Sequence, residues 1–109
     1  HDSVSPEYPT YSIFGTLRSQ LGRRGFVPPL NVGEMFGERL RELRRKHRLT
    51  QVQVSERSGL AQNHISELEH GERMPSLVTL LKLAAAIGCK PTDLLAPFNA
   101  ADLRSLLEK

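Results

Sequence analysis

The chain is expected to be all-α: five short helices around one core, an N-terminal arm before them, and a short C-terminal helix or frayed tail after them. Three observations carry this expectation. Between about residues 33 and 97, apolar residues recur three and four apart, the spacing of one helix face. Start and stop signals punctuate that region: Thr50 with Gln53 makes a capping box, Ser76 can cap, and Gly59 and Gly88 suit left-handed terminators. Finally, two short helical stretches, about 51–58 and 62–70, meet at Gly59 with the spacing of a helix-turn-helix.

Residues 1–32 read as an arm by composition. They hold Pro6, Pro9, Pro28 and Pro29, four of the seven prolines in the chain. Within them Ile13, Leu17 and Leu21 recur at helical spacing beside Phe14, which predicts a short amphipathic helix over about 12–21. Arg18, Arg23 and Arg24 add positive charge to the same segment. Such an arm could order against a partner subunit or lie along DNA, and its apolar residues, more than a phosphate-binding arm needs, favour packing on protein.

The compact domain is expected over 33–97. Its first helix spans about 33–47 and buries Phe36, Leu40 and Leu43. In the two helices of the turn motif, Val54, Leu60, Ile65 and Leu68 face one shared core. Met74-Pro75-Ser76 closes the next loop, and a fourth helix over about 77–87 turns Leu77, Leu80, Ala84 and Ile87 inward, with Leu81 or Leu83 at its edge. Pro91 opens a short fifth helix with Asp93 in its first turn and Leu94 and Leu95 packing inward. Over 98–109, Asn99 can cap a last helix whose stripe is Leu103, Leu106 and Leu107. That stripe is too narrow to hold a helix alone, so it reads as a frayed tail or as a dimer contact.

Size and composition narrow the function classes. A chain of 109 residues supports one domain with a modest core. No apolar run approaches the roughly 20 residues that cross a bilayer. No charged-then-apolar leader opens the chain, so a cytoplasmic protein without membrane contact is expected. Cys89 is the lone cysteine, so no disulfide forms within the chain, which suits a reducing compartment. Net charge is only +3, but it is uneven. Arg39, Arg41, Arg44, Arg45, Lys46 and Arg48 stand against Glu34, Glu38 and Glu42 within 34–48, while the rest of the C-terminal part is slightly acidic. A basic cluster beside such a motif suits phosphate attraction, although a solvated helix face would have the same composition.

The outer face of the second helix in the motif carries Gln62, Asn63, Ser66 and Glu67. Amides can take a bidentate hold on adenine N6 and N7, and a carboxylate can accept from cytosine N4. These four are the candidate base-reading residues. Gln51, Arg44, His64, His70 and Arg73 are the candidate phosphate-binding residues. The scattered histidines and single cysteine lack the ligand spacing of a zinc site, so no metal and no cofactor is expected. Neither a nucleophile-base-acid set nor a Gly-rich phosphate loop is present, so no enzymatic activity is expected.

From Phe36 to Leu95 the chain resembles the phage-repressor and Cro-like helix-turn-helix family, the XRE family. The resemblance runs through Gly37-Glu38-Arg39-Leu40-Arg41-Glu42-Leu43-Arg44, Leu49-Thr50-Gln51 and Ser58-Gly59-Leu60. It continues through Ile65-Ser66-Glu67-Leu68-Glu69-His70-Gly71, Pro75-Ser76-Leu77, Ala84, Ile87-Gly88 and Leu94-Leu95. It implies a lambda-repressor-like five-helix domain that binds operator DNA as a symmetric dimer. It also implies that Gln51 touches phosphate, that Gln62, Asn63 and Glu67 read bases, and that Arg44 and Glu69 form a structural ion pair. Four residues depart from the family pattern. Ala61 replaces a Ser or Thr cap, a loss of about 1 kcal/mol. Arg48 replaces Gly at a site suited to positive φ. Ser55 replaces Ala, and its hydroxyl needs a partner. Glu67 is acidic where Arg, Lys or Gln is common.

The resulting expectation is a sequence-specific transcription regulator that represses from a palindromic operator as a homodimer. Two other readings stay open: an antitoxin whose arm binds a protein partner while its helix-turn-helix autoregulates an operon, and a helix-turn-helix that serves only as a protein-interaction module.

Overall fold

The structure, a computed structural model, describes residues 31–107. The expected arm helix over 12–21 therefore lies outside the described residues. Six helices and no strand occur among those described: α1 (Val32–Lys46), α2 (Gln51–Ser58), α3 (Gln62–Glu69), α4 (Leu77–Ile87), α5 (Pro91–Leu95) and α6 (Ala100–Ser105).

Local chemistry explains where they begin and end. The Asn31 side chain accepts from the Glu34 N–H at 2.9 Å and starts α1, one residue earlier than its apolar spacing implied. Arg44, Arg45 and Lys46 occupy the last turn of α1, where cations complement the helix dipole. Ser76 Oγ accepts from the Thr79 N–H at 3.1 Å to open α4, and Gly88 ends it in the left-handed conformation at φ 90°. Pro91 takes the first position of α5, where its missing N–H costs nothing, and Asp93 accepts from the Lys90 N–H at 2.9 Å. The C-terminal segment is helical: Asn99 and Asp102 cap each other across the start of α6.

The core joins Phe36, Leu40 and Leu43 of α1 to Leu49, Val54, Ile65 and Leu68 and to Leu80, Leu83, Ala84, Ala86, Ile87 and Leu94. Leu60 and Cys89 pack partly buried against it. Helix α1 lies against α3, α2 against α3 and α4, and α5 against α1 and α4. Gly37 allows α1 to approach the C-terminal end of α3 closely. A Cβ there would sit 2.4 Å from the Leu68 carbonyl oxygen and 2.6 Å from that of Glu69. Two side-chain bonds to backbone reinforce the packing: Arg39 Nε donates to the Asp93 carbonyl at 2.7 Å, and Arg57 Nη1 to that of Ala86 at 3.3 Å.

Two apolar expectations need correction, and one alternative is settled. Of the two candidates for the edge of α4, Leu81 takes it at 46% exposed, and Leu83 is fully buried. Leu77, expected inside, is 72% exposed, and Leu95, also expected inside, is 44% exposed. The two misplaced leucines share one cause. Both line an open apolar groove of about 260 Å³ with Val32, Phe36, Met74, Leu80 and Phe98, which no other described element covers. Met35, which the spacing did not single out, is fully buried in α1.

Candidate nucleic-acid interface

The motif is built from the turn outward. Thr50 Oγ1 accepts from the Gln53 N–H at 3.0 Å, while Gln53 Oε1 accepts from the Thr50 N–H at 2.9 Å. This reciprocal box satisfies two orphan donors and fixes the start of α2. Gly59 then reverses the chain at φ 79°, with open space where a Cβ would be, so conformation rather than crowding selects glycine there. The Ser55 hydroxyl donates to the Leu60 carbonyl at 2.5 Å, which supplies the partner that residue required. Arg48 adopts φ 59°, the one non-glycine residue at positive φ among those described.

Helix α3 begins at Ala61 with no side-chain cap. Its inward face plugs the core through Ile65 and Leu68, both 0% exposed. Its outward face carries Gln62 and Asn63, both exposed, and Ser66 and Glu67, half-buried, one turn later. The four candidate base-reading residues therefore share one accessible face.

Behind that face Glu69 is a buried anchor, with a fully covered side chain. Arg44 Nε donates to Glu69 Oε2 at 2.6 Å and Arg44 Nη2 to Oε1 at 3.0 Å. Gln51 Nε2 donates to the same Oε1 at 3.0 Å, and Arg41 Nε stands 3.6 Å from it. One carboxylate thus ties α1, α2 and α3 together, and its hydrogen bonds offset part of the large cost of taking it out of water. The remaining contact of Arg44, Nη1 to the Leu49 carbonyl at 2.9 Å, also points inward. With its side chain 11% exposed, Arg44 has the structural role rather than an open one toward phosphate.

The other candidates divide by exposure. Gln51, at the first position of α2, presents its amide to Glu69. His64 is half-buried and His70 exposed. His70 Nδ1 lies 2.7 Å from the Ser66 carbonyl, which only accepts, so Nδ1 is the donor and Nε2 remains for other partners. Arg73 is exposed but occupied: its Nε lies 2.8 Å from Glu67 Oε1. Arg39, Arg41 and Arg44 of the basic cluster make internal contacts, whereas Arg45, Lys46 and Arg48 are exposed. Sequence reasoning missed Arg41 at Glu69, although its position three residues before Arg44 puts both on one face of α1.

Glu38 stands apart from these pairs. Its Oε1 is buried without a hydrogen-bond partner, in a cavity of about 250 Å³ lined also by Glu34, Arg41, Glu69 and His70. Burial, with Glu34 and Glu42 adding repulsion, pushes its carboxyl above the usual carboxylate range, and Arg41 only partly opposes this. Burial likewise pushes the Cys89 thiol up, with Asp93 adding to the effect. Among the described residues no three His, Cys, Asp or Glu side chains cluster as metal ligands would, and no helix is long and apolar enough to cross a membrane.

The chain is similar to known proteins in sequence and fold. The helix-turn-helix family profile matches residues 40–94. The chain is 38% identical over 68 residues to the HTH-type transcriptional regulator y4dJ of Sinorhizobium fredii, covering 62% of this chain and 88% of that protein. It is 36% identical over 52 residues to the immunity repressor protein of Bacillus phage phi105, covering 48% of this chain and 36% of the repressor. Among solved structures it is similar to the restriction-modification controller protein C.AhdI from Aeromonas hydrophila, at 43% identity and a TM-score of 0.55 over 56% of this chain and 92% of that one. An accessible polar face on α3, anchored from behind by Glu69 and matched over the whole motif, leaves one assignment: the chain belongs to the XRE-type helix-turn-helix family of DNA-binding transcription regulators.

Proposed function

We propose that the protein is a repressor that binds a palindromic operator as a homodimer, with α3 in the major groove. The observation that carries this reading is the outward face of α3, where Gln62, Asn63, Ser66 and Glu67 are accessible together on a helix whose opposite face is locked into the core. Gln62 and Asn63 lie at the N-terminal end, the part of a recognition helix that meets base edges. Phosphates are held by Gln51 at the start of α2, by His64, His70 and Arg73, and by the exposed Arg45, Lys46 and Arg48. The similarity to a phage immunity repressor supports repression. One recognition helix contacts few base pairs, which supports two copies on two half-sites about 34–36 Å apart.

Selection of bound duplexes from random DNA tests this directly. The expected result is a two-fold symmetric consensus with half-sites one helical turn apart. Recovery of no consensus, or of an asymmetric single half-site, would overturn the reading.

A further inference from the structure

Resting on the DNA-binding reading above, we propose that Arg73 is a positioning residue for Glu67, so that the pair sets the preference at one base pair. The pair lies on the accessible side of the molecule, with side chains 40% exposed at Glu67 and 56% exposed at Arg73. Arg73 Nε takes Glu67 Oε1, and among the described residues Oε2 accepts no hydrogen bond. An open carboxylate oxygen on the reading face of a recognition helix matches an exocyclic amine, cytosine N4 or adenine N6.

Charge makes the partner necessary. A bare carboxylate entering a phosphate-lined groove is repelled along its whole approach, whereas a carboxylate already paired with a guanidinium enters as a neutral unit. Arg73 also keeps donors in reserve: its Nη groups make no hydrogen bond among the described residues and can reach a phosphate while Nε stays on Glu67.

The backbone fixes this pairing rather than leaving it to two wandering side chains. Helix α3 ends in a doubled turn, with the Glu72 N–H donating to the Glu67 carbonyl at 2.9 Å and the Gly71 N–H to that of Leu68 at 3.2 Å. Gly71 supplies the left-handed residue at φ 77° and sits so close to α1 that a Cβ would lie 2.9 Å from Glu34 Cγ. The turn folds the chain back on α3, and Arg73 follows two residues later beside Glu67.

The test measures binding of the full chain to its selected duplex and to every single base-pair substitution of one half-site. Arg73→Ala and Glu67→Gln should alter discrimination at the same base pair. Arg73→Ala made together with Glu67→Gln should change discrimination there at least about fivefold less than Arg73→Ala alone, because there is no carboxylate left to position. Arg73→Lys should restore part of the lost discrimination, and the melting temperature should barely move in any of these variants, since the pair is exposed. If Arg73→Ala weakens every duplex by one common factor, equally with Glu67 or with Gln at that position, Arg73 is only a phosphate anchor and the proposal fails. If the two substitutions act at different base pairs, it also fails. An unmodified chain that binds no DNA overturns the functional reading itself, a result distinct from either of these.

Discussion

Arg44 grips Glu69 through two parallel hydrogen bonds, Nε to Oε2 at 2.6 Å and Nη2 to Oε1 at 3.0 Å, across the contact between α1 and α3. The carboxylate lies at the C-terminal end of the helix that carries the proposed reading face. Whatever holds Glu69 therefore holds the angle at which that helix is presented. Gln51 shares the same carboxylate, so the start of α2 is set by the same contact.

Removing one partner from this site strands a charge. Arg44→Ala should cost about 3 kcal/mol or more, because the fully covered Glu69 carboxylate keeps only Gln51 at hydrogen-bond distance and Arg41 at 3.6 Å. Changing Arg44 to Met together with Glu69 to Leu should cost less than the two single changes added. Denaturant unfolding of the four proteins measures this, and additive losses would show that the two residues do not act as a pair.

The second prediction concerns pH. Glu38 titrates above its ordinary range when folded, so the folded chain holds that proton more tightly than the unfolded one. Its contribution to stability is therefore complete below the ordinary carboxylate range and is lost as pH rises through the raised value. Above the raised value the ionised Glu38, facing Glu34 and Glu42 with one buried oxygen unpartnered, works against the fold. Glu38→Gln should melt higher than the parent near pH 7, and the gap should close on acidification. Arg41, Glu69 and His70 line the same cavity, so the comparison is between the two proteins at each pH rather than within one pH series. A gap that widens in acid would contradict the assignment.

Much of the fold was legible because its signals are local. A capping box, a glycine terminator and a proline at a first helical position each state their geometry within four residues, and Thr50, Gly59, Ser76, Gly88 and Pro91 all behave accordingly. The outward face of α3 was legible for a related reason: Ile65 and Leu68 fix the inward side, which leaves Gln62, Asn63, Ser66 and Glu67 outward. Periodicity tells which face is apolar but not how far a neighbour covers it, and Leu77 and Leu95 show the difference. Contacts that depend on tertiary approach were harder still. The Arg44–Glu69 pair came only from family resemblance. The Glu67–Arg73 pair depends on a turn whose return path is set by contact between Gly71 and Glu34.

The third prediction addresses the dimer. Leu103, Leu106 and Leu107 are 53%, 54% and 82% exposed, and Leu77 and Leu95 open onto the apolar groove on the same chain. Helix α6 has only six residues, and its caps at Asn99 and Asp102 order its first turn without burying that leucine stripe. A helix this short gains most of its stability from packing its apolar side, and in the proposed dimer a second copy of the chain would cover it. Fully burying an exposed leucine stabilises by about 1.5–3 kcal/mol, and a symmetric dimer covers the same leucines in both copies. Leu103→Asp together with Leu106→Asp should therefore weaken self-association at least about a hundredfold. Helical content of α1 to α5 should be unchanged, since neither residue belongs to the core. Operator binding should become steeper in protein concentration, because the two half-sites then assemble from monomers. Sedimentation checks the first effect, circular dichroism the second, and titration of a two-half-site duplex the third. A parent chain that sediments as a monomer at every concentration, on and off DNA, would refute the dimer. A doubly substituted chain that dimerises as tightly as its parent would place the contact elsewhere.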